Sequence, residues 1–420
     1  MADWSFAVRA LRSKNFKLYF AGQGISLIGT WMTRIAMSWL VYRLTGSAAL
    51  LGVVGFASQI PAFVLGPVAG VWVDRWNRHR TVVWTQALSM IQSFALAALT
   101  LAHIITVWEI VALALMQGLI NAIEMPARQS FMIQMVDRRE DLGNAIALNS
   151  SMVNGARLIG PAIAGVVVAT VGEGYCFLAD GVSYIAVIVS LILMRIAAQP
   201  AQPTRRKVLH EVLEGWRYVT GSVPIRSILA NLSLVSLFGV PFSVLMPIFA
   251  SKVLGGGAHT LGFLMAASGV GALAGAMSLA VRRSVVGLGR RIVIATALFG
   301  AALIVFSFSK VLWLSMLALP VAGYGMMQQM AASNTILQTI VEDEKRGRVM
   351  AFYSMAFQGM TPFGSLLAGG IASRFSAPIA VTVSGTACLV GSLWFAGRLP
   401  EIRTFVRPIY AKLGIIPEIA

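Results

Sequence analysis

The chain has 420 residues, 57% of them hydrophobic and only 12% charged, with a mean hydropathy of +0.78. Soluble domains carry about 25% charged residues, so the main solvent of this chain is lipid and a water-soluble enzyme is excluded. The net charge of +17 fits the Lys and Arg that membrane proteins gather in cytoplasmic loops, and no nucleic-acid partner is expected.

A membrane-crossing helix needs about 20 mostly apolar residues. The basic N-terminal stretch MADWSFAVRALRSKNFK lacks the short apolar core and cleavage site of a signal peptide and reads as a cytoplasmic tail. Apolar runs follow at 16–43, 47–73, 81–102, 106–127, 144–171 and 174–196. A polar stretch comes next, opened by Pro200 and Pro203. In it Val208, Leu209, Val212, Leu213, Trp216 and Val219 recur at helical spacing, opposite Arg206, Glu211, Glu214 and Arg217. This pattern predicts an amphipathic helix on the cytoplasmic membrane surface. Six further apolar runs lie at 227–250, 260–281, 291–309, 311–336, 349–373 and 377–397. The expected architecture is an all-α integral membrane protein of twelve transmembrane helices. It divides into an N-terminal six-helix bundle (1–197), a cytoplasmic linker (198–226) and a C-terminal six-helix bundle with a short cytoplasmic tail (227–420).

Of the 33 basic residues, 27 fall at the ends and loops that share one face if both termini are cytoplasmic. The opposite face has Arg43, Lys252, Lys310 and Arg374. This bias predicts a multi-pass protein of the plasma (inner) membrane with both termini inside. The halves look like copies. Gly70 and Met135-Val136 recur as Gly275 and Ile340-Val341 at a shift of 205, and Gly160 and Gly165 as Gly364 and Gly369 at a shift of 204. A repeat of half the chain length indicates duplication of a six-helix unit.

Between the second and third runs stands GVWVDRWNRHR, with one acid ahead of three arginines. Gly70, Asp74, Arg75, Arg78 and Arg80 resemble the loop 2–3 signature of the major facilitator superfamily. Asn77 occupies the usual Gly position, where a left-handed backbone is expected, and His79 a usual basic one. The resemblance implies two six-helix bundles of the major facilitator fold and a conformational latch. In that latch Asp74 faces the N-terminus of the eleventh span near Gly347–Val349, where an anion is favoured. The shifted copy has Leu279 in place of Asp74, so only one latch is intact. LVYRLTGSAALLG, MPARQSFM and NGARLIGPAIAG look most like the exporter branch that includes enterobactin-type siderophore exporters and macrolide or multidrug efflux proteins. Gly155, Gly160, Pro161 and Gly165 in the fifth span are similar to its antiporter motif, which implies a hinge or seal.

Glu109, beside Trp108 at the outer end of the fourth span, reads as an interfacial residue, while away from the basic clusters at the span ends stand Arg34, Glu124, Arg157 and Asp180. Each is costly in lipid and needs a partner or a cavity. By depth, Arg34 is expected to pair with Asp180, and Arg157 with Glu124. These residues are the substrate or proton candidates. The uncharged cavity candidates are Gln117, Asn121, Asn149, Asn154, Asn231, Gln328, Gln329 and Gln358. Met326, Met327 and Met330 accompany Phe238 and Phe242, and packing is the favoured reading for each methionine. Cys176 and Cys388 read as buried thiols, and the four histidines form no metal set. GVGALAG at 269–275 has no preceding strand and reads as helix packing, not as a dinucleotide loop. No cofactor is expected. Together these features predict a monomeric secondary transporter that exports a small organic molecule, drug-like or a siderophore, by alternating access against proton entry. Membrane lipids are its surroundings. A lysophospholipid transporter of the same fold and a non-transporting sensor or enzyme are the alternatives.

Overall fold

The structure, a computed structural model, describes residues 8–196, 208–282, 284–412, 414–415 and 417. The start of the expected N-terminal tail and the linker prolines Pro200 and Pro203 lie outside the described residues. Among these the chain is helical throughout, with no strand.

Helices α1 (Lys14–Thr45) and α2 (Ala48–Ala57) are separated by Gly46, whose φ of 61° is the left-handed end of α1. Ser47 caps α2, accepting from the Leu50 amide. The second apolar run is not one helix. It breaks at Ser58–Gln59 and resumes as α3 (Ile60–Arg75), with Pro61 in its first turn, where a missing N–H costs nothing. The Ser58 carbonyl and Pro61 fill the space a side chain at Gly118 would need. Next come α4 (Arg78–Leu101), α5 (Val107–Met135), α6 (Leu142–Thr170) and α7 (Glu173–Ile192). Glu109 and Thr106 form a capping box at the start of α5, beside the exposed Trp108.

The expected amphipathic helix is α8 (Val208–Gly221). Leu213 and Trp216 are exposed, Val219 is buried, and Glu214 pairs with Arg348 at 2.9 Å. Helix α9 (Val223–Leu234) continues irregularly to Val253 through two π turns and a 3-10 segment, around Pro241 and Pro247. Proline removes the regular backbone donor, and the chain rewinds around it. Helices α10 (Ala258–Ala280), α11 (Leu288–Phe308) and α12 (Leu312–Ile340) follow. The eleventh run starts a turn earlier than its apolar pattern, as α13 (Asp343–Ser354). It crosses a π turn at Met355–Gly359 and ends as α14 (Thr361–Arg374). Helix α15 (Ala377–Lys412) runs well past the apolar limit at 397, because Ile402, Val406 and Tyr410 recur every fourth residue and bury against Ile336, Ile340 and Tyr353.

Nine of these helical stretches are long and apolar enough to cross a membrane. Helix α1, helix α12 and the α13–α14 stretch fall short. In α12 the cause is polar residues that face protein, Ser315, Gln328, Gln329 and Ser333, all buried, while α1 carries Arg34 besides the buried Gln23, Ser26 and Thr33. Outward positions are apolar instead, as at Ile25, Trp84, Ile192 and Leu393.

The chain forms two compact units, Met1–Thr204 with Ala250–Ala266, and Arg205–Phe249 with Ala267–Ala420. In the first, α1 packs on α7 where Gly22 meets the Ala186 carbonyl. In the second, Gly300 and Gly385 each face the other's carbonyl, at 2.6 Å from where a Cβ would stand. Gly271 and Gly323 let α10 and α12 touch backbone to backbone, so GVGALAG is a packing ridge. Helices α5 and α12 each have 29 residues and end at Met135 and Ile340, the positions paired by the sequence repeat. The repeat also holds at the glycines, since Gly160 meets the Ile28 carbonyl and Gly364 the Leu237 carbonyl. Gly300→Leu is therefore expected to lower the melting temperature of the purified protein, at a cost of about 1–3 kcal/mol. Gly370→Leu, which meets open space, should leave it unchanged.

Candidate functional site

The loop 2–3 motif spans the end of α3 and the start of α4. Gly70 and Asp74 lie in α3, with side chains outside the described set. Arg75 and Arg80 are exposed and Arg78 is half-buried. Asn77 does not adopt the expected left-handed backbone. Its φ is −70°, and it caps α4 by accepting from the Arg80 amide at 3.0 Å, the usual work of Asn at a helix start. His79 Nε2 lies 2.8 Å from the Leu191 carbonyl, tying the loop to the end of α7.

In the α6 motif, Gly160, Pro161 and Gly165 act together. A Cβ at Gly160 would stand 2.5 Å from the Cβ of Trp31, and one at Gly165 would stand 2.8 Å from the Cα of Gly262. Gly262 in turn would meet the Pro161 carbonyl. Gly155 faces open space and takes no part in this contact. The glycine at 160 thus lets α6 seat Trp31 of α1. Over that one ring lie two guanidinium groups, Arg34 at 5.0 Å and Arg157 at 5.7 Å.

Neither expected intramembrane pairing forms. Glu124 pairs with Arg128, one helical turn along α5, at 3.1 Å, and accepts from Gln86 at 3.2 Å. The apolar run stops at 127, just short of Arg128. Helix α5 instead continues to Met135 and keeps both side chains largely buried. Asp180 has no Lys or Arg partner among the described residues. Its Oδ2 accepts from Thr33 of α1 and Ser93 of α4, both at 2.9 Å, and its Oδ1 has no partner among them. A side chain at Gly29 would stand 2.8 Å from that free oxygen. Sequence reasoning missed these hydroxyls, since Ser and Thr are common in membrane helices and carry no spacing signal.

The amide candidates are mostly tied into the helices. Gln117 donates to Ser89 and Asn121, and Asn149 accepts from Tyr19 at 2.9 Å. Asn154 donates to its own helix at Ser150, and Asn231 to Thr296. Gln328 accepts from Arg291 at 3.1 Å and donates to the Gly275 carbonyl. Gln358 is exposed. Gln329 is fully buried, and neither its Nε2 nor its Oε1 has a hydrogen-bond partner among the described residues. At the repeat shift, Gln329 and Ser333 stand where Glu124 and Arg128 stand in the first copy. Met326, Met327 and Phe242 are core residues.

Helices of membrane-spanning length that hold charged and amide side chains against one another define a multi-pass membrane protein. Residues 5–406 match the family described as transmembrane secretion effectors, and the chain belongs to that family of major facilitator transporters. It is 26% identical to a staphyloferrin A transporter of Staphylococcus aureus, over 92% of this chain and 97% of that one. It is also 26% identical to the multidrug efflux pump Tap of Mycolicibacterium fortuitum, over 82% of this chain and 86% of that one. Among solved structures, the POT family transporter PepTSo shares the fold with a TM-score of 0.73 at 12% identity, covering 93% of this chain and 99% of that one.

Two stability tests follow from this geometry. Arg128→Met leaves Glu124 buried without a cation and is expected to cost about 3–5 kcal/mol, while adding Glu124→Gln should restore much of the lost melting temperature. Gly160→Val should destabilise through Trp31, whereas Gly155→Val should not.

Proposed function

We propose that the protein is a secondary active exporter that moves a small organic molecule, drug-like or a siderophore, out of the cytoplasm in exchange for protons. It crosses the plasma membrane twelve times as two six-helix bundles, 1–197 and 227–420, joined by the linker 198–226, with both termini cytoplasmic. It works as a monomer by alternating access. Asp74 with Arg75, Arg78 and Arg80 forms the latch of the cytoplasmic side, and Gly160, Pro161 and Gly165 seal α6. The family and the named efflux relative support export.

The observation that carries proton coupling is Asp180. A proton carrier must exchange its proton during the cycle, and a carboxylate locked to a guanidinium is poorly suited to that. Glu124 is so locked, by Arg128. The Oδ2 of Asp180 is held by two hydroxyls, which can hydrogen-bond either protonation state, and its Oδ1 has no hydrogen-bond partner among the described residues and can take the proton.

The test is flux in proteoliposomes with and without an imposed pH gradient. Asp180→Asn is expected to abolish gradient-driven efflux of a drug-like substrate while leaving folded yield intact. Unchanged proton coupling in that variant would remove the assignment, and lipid movement without solute flux would replace the exporter with a lipid transporter. Asp74→Asn should cripple flux at near-normal expression, and wild-type flux there would remove the latch.

A further inference from the structure

Arg34 and Arg157 differ from the other charges held within the helices. Glu124 has Arg128, Arg43 has Glu173 at 2.7 Å, and Asp180 has its hydroxyls. No carboxylate pairs with Arg34 or Arg157 among the described residues, and what they share is the face of Trp31. Placing two like charges on one ring is unfavourable unless something neutralises them. As whole residues, Arg34 is exposed and Arg157 half-buried. At 1.5 Å per residue, Arg157 stands about 20 Å from either end of α6. That is far from the headgroups, where a lone guanidinium costs about 2.5–3.5 kcal/mol. A planar fork presented at that depth suits a carboxylate, which it binds through two parallel hydrogen bonds. The ring between the forks suits a flat apolar or aromatic body.

We propose that Trp31, Arg34 and Arg157 form an anion-recognition site on α1 and α6, and that the transported molecule is an amphiphile bearing at least two carboxylates. Its charges meet the two guanidiniums and its apolar part lies on Trp31. This rests on the transport reading above and narrows its substrate class: a neutral or cationic molecule leaves both arginines uncompensated. The motif glycine at 160 then has a second purpose, because any side chain there displaces the ring that carries both charges.

An acidic lipid headgroup offers the same anionic chemistry, so the experiment separates the two sources. The full-length protein is placed in phosphatidylcholine nanodiscs, and binding of carboxyfluorescein is followed by fluorescence anisotropy, with ethidium as a cationic control. Benzoate, phthalate and trimesate serve as competitors carrying one, two and three carboxylates. The expected result is competition that strengthens by about tenfold from benzoate to phthalate, equivalent to about 1.4 kcal/mol. Arg34→Gln and Arg157→Gln are each expected to weaken carboxyfluorescein binding by about tenfold or more and leave ethidium unaffected. If a glutamine variant fails to fold, the lysine variant carries the test. It keeps the charge, loses the fork, and should lose the preference for phthalate over benzoate. Equal binding of both dyes by the wild type, or unchanged carboxyfluorescein affinity in both glutamine variants, would overturn the proposal. Displacement of the probe by phosphatidylglycerol in the nanodisc but not by trimesate would overturn it in favour of lipid. Equilibrium binding needs no gradient, so carboxyfluorescein binding without flux in proteoliposomes would fail the transport reading alone.

Discussion

A polar group inside hydrocarbon has to find its partner within the protein, because lipid offers none. That constraint organises the first unit. The Oδ2 of Asp180 in α7 accepts from Thr33 of α1 and Ser93 of α4, so one carboxylate oxygen links three helices. Gly29 has to be bare for α1 to approach it. Further along, Glu124, Arg128 and Gln86 link α4 and α5, and Tyr19 with Asn149 links α1 and α6. The hydrophobic effect drives none of these choices between helices that already sit in oil. Hydrogen bonds and close backbone contact make them.

Backbone contact is the second device, and its geometry ties structure to chemistry. At Gly160 the absence of a side chain lets the Ile28 carbonyl and the Trp31 stem come against α6. Trp31 is thereby held where Arg34 and Arg157 both reach its face. In the second unit, Gly364 admits the Leu237 carbonyl and Pro241 instead. The same small-residue spacing serves both copies, but only the first uses it to present an aromatic ring and two charges.

Much of this was legible in the sequence and some was not, for physical reasons. Hydropathy located the nine helical stretches long and apolar enough to cross a membrane, because outward faces must match lipid along their whole length. It did not find the break at Ser58–Gln59 or the rewinding around Pro241 and Pro247, because apolarity says nothing about backbone continuity. The proline at 61 was the available clue. Run edges also misled. Arg128 lies one turn beyond Glu124 at the spacing of a helical ion pair, yet the apolar run ends at 127 and leaves it outside. Asn77 was read for its tolerance of a left-handed turn when its position before a helix made it a cap. The partners of Asp180 come from helices far apart in sequence, and nothing in one chain's letters marks a hydroxyl as a donor to a distant acid.

The two copies have aged differently. A shift of 205 carries Glu124 to Gln329, Arg128 to Ser333 and Asp74 to Leu279. Gln329 and Ser333 are buried, and Gln329 Nε2 and Oε1 and Ser333 Oγ lack hydrogen-bond partners among the described residues. At these three places the later half is electrically silent while the earlier half carries ionisable groups. Acidity or voltage acting at these three places is felt by one side of the duplication alone, and the mute side is left free to drift in shape and lining without disturbing that response.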